Sequence, residues 1–77
     1  EISFSEKEEG DLAFFISSKG NIHHVGIILS NNRIIHAHGW LRVDELDEKG
    51  ILGRSNDKYS HQLAFIRRYS SVTEPRK

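Results

Sequence analysis

Five histidines occur among the 77 residues, and four of them, His23, His24, His36 and His38, fall on or beside two β-branched-rich runs that flank Ser30-Asn31-Asn32. An imidazole titrates near neutral pH, so it serves as a general base once a second group fixes its tautomer and orientation. Three imidazoles together can instead hold zinc. Both chemistries require the rings to share a face, and the register of a hairpin decides that.

A two-residue loop, Asn31-Asn32, pairs Leu29 with Ile34 and Ile27 with His36, which sends His24 and His36 to opposite faces. A three-residue loop, Ser30-Asn31-Asn32, pairs Leu29 with Arg33, Gly26 with His36 and His24 with His38. Asn tolerates a left-handed backbone better than other non-glycine residues, so Asn32 can hold the last loop position and the three-residue loop is preferred. His24, His36 and His38 then share a face, Gly26 leaves space beside His36, and the His24–His36 diagonal spans ~7–8 Å between backbones. His24 and His36 become candidates for a base and its orienting partner. The alternative is a zinc site of His24, His36 and His38 with an open fourth position, although a barrel oxygenase-like site wants a carboxylate about three or four residues after the HxH pair. Here residues 39–43 intervene before Asp44 and Glu45. His23 and His61 read as surface residues, since alternation points His23 away from His24.

The elements that position these side chains are mostly strands. Ser5 and Glu8 have capping-box spacing, with Phe4 before them, and Gly10 limits the segment to a single turn. Residues 11–16 are apolar on both faces and predict a buried strand, with Gly10-Asp11 as a structural turn leading into it. Residues 24–29 and 33–38 form the hairpin, 41–46 alternate as a half-buried strand, 47–57 read as a loop, and 62–69 close the chain as a last strand. The expectation is an antiparallel, strand-dominated sheet of about five strands with curled edges, occupying residues 1–69, and a frayed polar tail over 70–77. No helical periodicity supplies a second layer, so the two-faced strand around Phe14 and Phe15 asks for cover from outside these residues or from a second copy. Trp40 is either a cleft wall or hydrophobic cover, and Arg67 and Arg68 read as a solvated pair, one on each face.

Composition narrows the function. The absence of cysteine excludes a disulfide framework, a CxxC zinc site and a thiol nucleophile within these residues. Eleven basic residues balance eleven acidic ones, which argues against a dedicated nucleic-acid module. The longest apolar stretches, residues 12–16 and 25–29, fall far short of the ~20 residues of a helical membrane span.

The strings Gly10-Asp11-Leu12-Ala13-Phe14-Phe15, His24-Val25-Gly26-Ile27-Ile28-Leu29, Arg33-Ile34-Ile35-His36-Ala37 and Ile66-Arg67-Arg68-Tyr69 occur in this order over residues 4–69. Together they resemble the C-terminal half of the NlpC-type cell-wall peptidases. The resemblance implies an α+β, papain-like family fold of which these residues supply the strand-dominated half. It also implies that His24 is the base of a cysteine nucleophile and that His36, twelve positions on, orients it. Residues 35–39 with Arg42-Val43 resemble in particular the members that cut the γ-D-glutamyl to diamino-acid bond of peptidoglycan stem peptides. The implied partners are stem peptides or muropeptide fragments and a missing N-terminal half that carries the cysteine, with self-association through the uncovered sheet as a further expectation. The cell envelope is the implied location, cytoplasmic wall recycling the other one, and no cofactor is called for. A chain without the nucleophile is expected to be inert. A zinc protein and a non-catalytic binding module are the alternatives.

Overall fold

The computed structural model describes residues 1–53 and 58–68. The expected tail, 70–77, lies outside them. After one 3-10 turn, Phe4–Glu6, come six strands: β1 (Leu12–Ile16), β2 (Ile22–Leu29), β3 (Arg33–His38), β4 (Trp40–Asp47), β5 (Gly50–Leu52) and β6 (Tyr59–Arg67). Every neighbouring pair is antiparallel, and β1 pairs with both β2 and β6, so the sheet closes into a barrel.

Closure replaces the expected open sheet of about five strands with curled edges. The additional strand, β5, lies inside the segment read as a loop, and part of that segment, 54–57, is outside the described residues. Gly50 makes β5 possible, because a Cβ there would stand 1.9 Å from the carbonyl oxygen of His61. Only a residue without a side chain lets the two backbones meet at that point. The N-terminal turn is also displaced from its expected place. Ser3, not Ser5, stands at the N-cap position, and its hydroxyl donates to Glu6 at 3.1 Å, so the capping-box pairing of Ser5 with Glu8 is not formed.

The hairpin of β2 and β3 has the register of the three-residue loop, with Leu29 opposite Arg33 and Gly26 opposite His36. Asn31 and Asn32 both adopt left-handed backbone, φ 60° and 54°, where only Asn32 was expected to. The space over Gly26 is filled by Ile34, whose Cδ1 would lie 2.6 Å from a Cβ at position 26. It is therefore not a vacancy beside His36.

Alternation sends Ala13, Phe15, Ile28, Ile34, Leu46, Ile51 and Ile66 into the barrel as one apolar core, with Ile2, Phe4 and Leu63 against it. Phe14 faces outward and stacks on Phe65 at 4.9 Å between ring centroids. Val25, Ile27 and Leu41 are exposed, and with Leu12, Phe14 and Ile35 they line one apolar hollow on the barrel's outer surface.

Asp11 fastens the seam between β1 and β6. Its carboxylate accepts the backbone N–H of Glu8 at 2.8 Å and two guanidinium hydrogen bonds from Arg68 at 2.8 and 2.9 Å. Arg68 is exposed, as expected of it, and is in addition half of an ion pair with a buried carboxylate that would otherwise lack compensation for its lost hydration. The Arg68 hydrogen bond holds the Asp11 carboxyl below its ordinary range; burial pulls the other way and is outweighed with the help of the Glu8 amide. Arg67 instead lays its guanidinium over the Phe65 ring, 4.9 Å from the centroid.

Candidate active site

Four strands bring polar side chains into the barrel beside the core. His24 lies on β2, His36 on β3 and His61 on β6, while β4 supplies Asp44. His36, Asp44 and His61 are 3, 5 and 8% exposed, and a polar group buried this deeply needs a partner.

His36 sits between two such partners. Its Nδ1 is 2.8 Å from Nε2 of His24, and its Nε2 is 2.7 Å from Oδ2 of Asp44. Arg42 in turn donates to both Asp44 oxygens, through Nε at 2.8 Å and a terminal nitrogen at 3.2 Å. The direction of the hydrogen bonds follows from the donor inventory. A carboxylate only accepts, so His36 carries its hydrogen on Nε2 and, as a neutral imidazole, presents Nδ1 as an acceptor. His24 must then donate from Nε2, which makes Nδ1 its basic nitrogen. Asp44 therefore sets, through His36, the tautomer of the imidazole beyond it, as an orienting carboxylate does one ring away in a hydrolytic triad.

His61 completes the cluster. Its ring stacks on His24 with centroids 4.2 Å apart and meets His36 edge-on at 5.5 Å. The hydroxyl of Ser60 lies 2.8 Å from its Nδ1. Phe15 contacts both His24 and His61, with centroids 5.7 and 5.9 Å away, and joins the polar cluster to the core.

The structure thus gathers His24 and His36 and adds three residues that the sequence reading missed. His61, read as a surface residue, is buried because β6 places it inward opposite Ile51. His23 is exposed, yet its ring lies 5.9 Å from that of His61 and 6.4 Å from that of His24. A bulge explains this: Phe15 pairs with His24 and Ile16 with Ile22, so His23 is the extra residue and simple alternation fails there. Arg42 and Asp44 were legible in principle. A bend at Gly39 sets His36 opposite Arg42 and Ile34 opposite Asp44, which puts all four on one face. The part of the zinc expectation that rests on the His38 side chain lies outside what the structure describes, and the third histidine gathered among the described residues is His61. Trp40 is 71% exposed at the start of β4. Gly10 and Asp11 lie at the start of β1, and Gly26 beneath Ile34.

A strand-dominated barrel carrying two hydrogen-bonded imidazoles with a carboxylate behind them is an arrangement suited to activating a nucleophile. Residues 1–60 match the NlpC/P60 family, and the chain belongs to that family. Its members are cysteine peptidases, and the family points to peptidase activity related to peptidoglycan. No curated protein and no solved structure matches the chain.

Proposed function

We propose that this chain is the base-bearing half of a papain-like cysteine endopeptidase. Its thiolate would be supplied by a segment preceding Glu1, and its substrate would be the γ-D-glutamyl to diamino-acid bond of a peptidoglycan stem peptide or muropeptide, as in enzymes of the dipeptidyl-peptidase VI kind. The observation that carries the reading is the 2.8 Å contact between His24 and His36 with Asp44 behind it, which leaves His24 Nδ1 as the basic nitrogen. In this mechanism His24 takes the thiol proton, the thiolate attacks the γ-glutamyl carbonyl, and the same imidazole delivers the proton to the departing amine. His36 holds the ring in place. The chain has no cysteine of its own, so it is inert without the complementary half.

The apolar hollow on the outer surface, lined by Leu12, Phe14, Val25, Ile27, Ile35 and Leu41, supports the same reading, because a contiguous apolar patch on a small barrel marks a face that something covers. Trp40 offers an exposed ring to the substrate from the strand that also carries Asp44. The cell envelope is the proposed location, with cytoplasmic recycling of wall peptides as the other.

Thiol-probe labelling of the polypeptide extended before Glu1 tests the reading, with wild type and His24→Ala compared across pH. A cysteine whose labelling at neutral pH falls in His24→Ala is the expected result. If no cysteine precedes Glu1, or if its reactivity ignores His24, the chain is a family member without the family's catalysis.

A further inference from the structure

The His24–His36–His61 cluster has a second chemistry. We infer that these three imidazoles form a binding site for a borderline divalent transition metal such as Zn²⁺, and that occupying it removes His24 from its role as base; the second clause rests on the proposed peptidase function. One nitrogen from each ring lies within 4.8 Å of the others. Metal–nitrogen distances of about 2.0–2.1 Å in a tetrahedral site require nitrogens about 3.4 Å apart, so the 2.8 Å His24–His36 contact opens slightly and the remaining separations, none above 4.8 Å, need only small adjustments.

The hydrogen bonds on the far side of the rings favour the site. A metal-bound imidazole characteristically carries a hydrogen bond on its other nitrogen, which fixes the ring and raises its basicity. His36 has one from Nε2 to Asp44, with Nδ1 directed at His24, and His61 has one between Nδ1 and Ser60. Both rings are therefore already held with one nitrogen assigned. His24 and His61 stack at an interplanar angle of 28°, so the two rings must tilt for their in-plane lone pairs to converge.

The exchange balances without an added reagent. The metal takes the place of the hydrogen between His24 and His36, and that hydrogen passes to His24 Nδ1. No net proton is released by the pair, and the nitrogen that served as base becomes an N–H. Metal binding and general-base catalysis at His24 are thereby mutually exclusive.

Calorimetric titration of this protein with Zn²⁺, combined with imidazole ¹⁵N spectra, tests the site without reference to turnover. The expected result is one-to-one binding in the micromolar range or tighter, with perturbed resonances at His24, His36 and His61. His61→Phe, which keeps a ring against His24, is expected to weaken binding about 100-fold, and Asp44→Ala about 10- to 100-fold through His36. Far-ultraviolet dichroism confirms that each variant retains its strands. Ser60→Ala serves where His61→Phe does not fold, with a weakening of about tenfold. The site is overturned if Zn²⁺ does not bind, if only His23 or His38 responds, or if His38→Ala abolishes binding that the other variants leave intact. In the cysteine-bearing enzyme, Zn²⁺ should inhibit wild type at concentrations that spare His61→Phe, each measured against its own metal-free rate. Binding without inhibition leaves the metal site standing and overturns the base role.

Discussion

Asp44 accepts a hydrogen bond from His36 at 2.7 Å inside the barrel, and this one contact orders the hydrogens of two imidazoles. Removing the carboxylate should therefore be felt at His24, which His36 links to Asp44. In Asp44→Ala the imidazole ¹⁵N pattern of His24 should change from a single Nε2–H tautomer to an averaged one, and turnover of the cysteine-bearing enzyme should fall about 100-fold or more. The variant should also lose about 1–3 kcal/mol of stability, because His36 and Arg42 are left without their acceptor. An unchanged His24 spectrum would sink the relay.

Asp11 and Arg68 contribute to the acid limb of stability. The folded-state pKa of Asp11 is depressed, so its contribution is complete above the unfolded value of about 3.9 and is lost as pH falls through the folded value. Arg68→Gln should lower stability only modestly near neutrality, because the guanidinium is 43% exposed and solvent screens the pair. The gap between variant and wild type in urea unfolding should narrow below about pH 4. A gap that persists or widens in acid would show that Arg68 acts by packing alone.

Gly26 carries a packing prediction. A methyl group there meets Ile34 Cδ1 at 2.6 Å and Cγ1 at 2.8 Å, so Gly26→Ala should destabilise the protein by about 1–3 kcal/mol. Adding Ile34→Val removes the nearer atom and should recover part of that loss. The double variant being less stable than the sum of the two single ones would contradict the contact.

Tyr59 donates a hydrogen bond to Asp47 at the β4–β5 turn. Donation to that carboxylate raises the Tyr59 pKa above its ordinary value. Burial works against ionisation of Asp47, yet the hydrogen bonds from Tyr59 and from the amides of Lys49 and Gly50 outweigh it and hold its carboxyl low. In a spectrophotometric titration one of the two tyrosines should ionise late, and Asp47→Asn should bring it back toward the ordinary range. Two identical, unshifted phenols would rule the contact out in solution.

What was legible in the sequence was local. The alternation of β2 and β3, with Asn at the turn, was enough to choose the register that brings His24 and His36 together. Every element that escaped prediction depends on a contact between residues far apart or on a departure from strict alternation. β5 exists because Gly50 lies against the backbone of His61, and neither residue reveals the other in sequence. Bulges opposite Phe15 break the two-residue period on both of its neighbours, which hid the inward turn of β6 and the position of His23. Asp44 was passed over because it was sought as a metal ligand at a fixed spacing after His36 and His38, whereas the hairpin at Gly39 delivers it across the sheet.

The clasp between Asp11 and Arg68, 57 positions apart, has a kinetic meaning as well. The hairpins of β2, β3 and β4 can form from neighbours, but β6 reaches β1 only after a loop nearly as long as the described chain has closed, and such long-range pairing forms slowly. β6 also carries His61. Before that seam closes, the chain can already hold His24, His36 and Asp44 on their hairpins, yet it lacks the ring that lies against His24. A freshly made or locally opened molecule is therefore incomplete at this cluster, and the seam between the first strand and the last determines when it is finished.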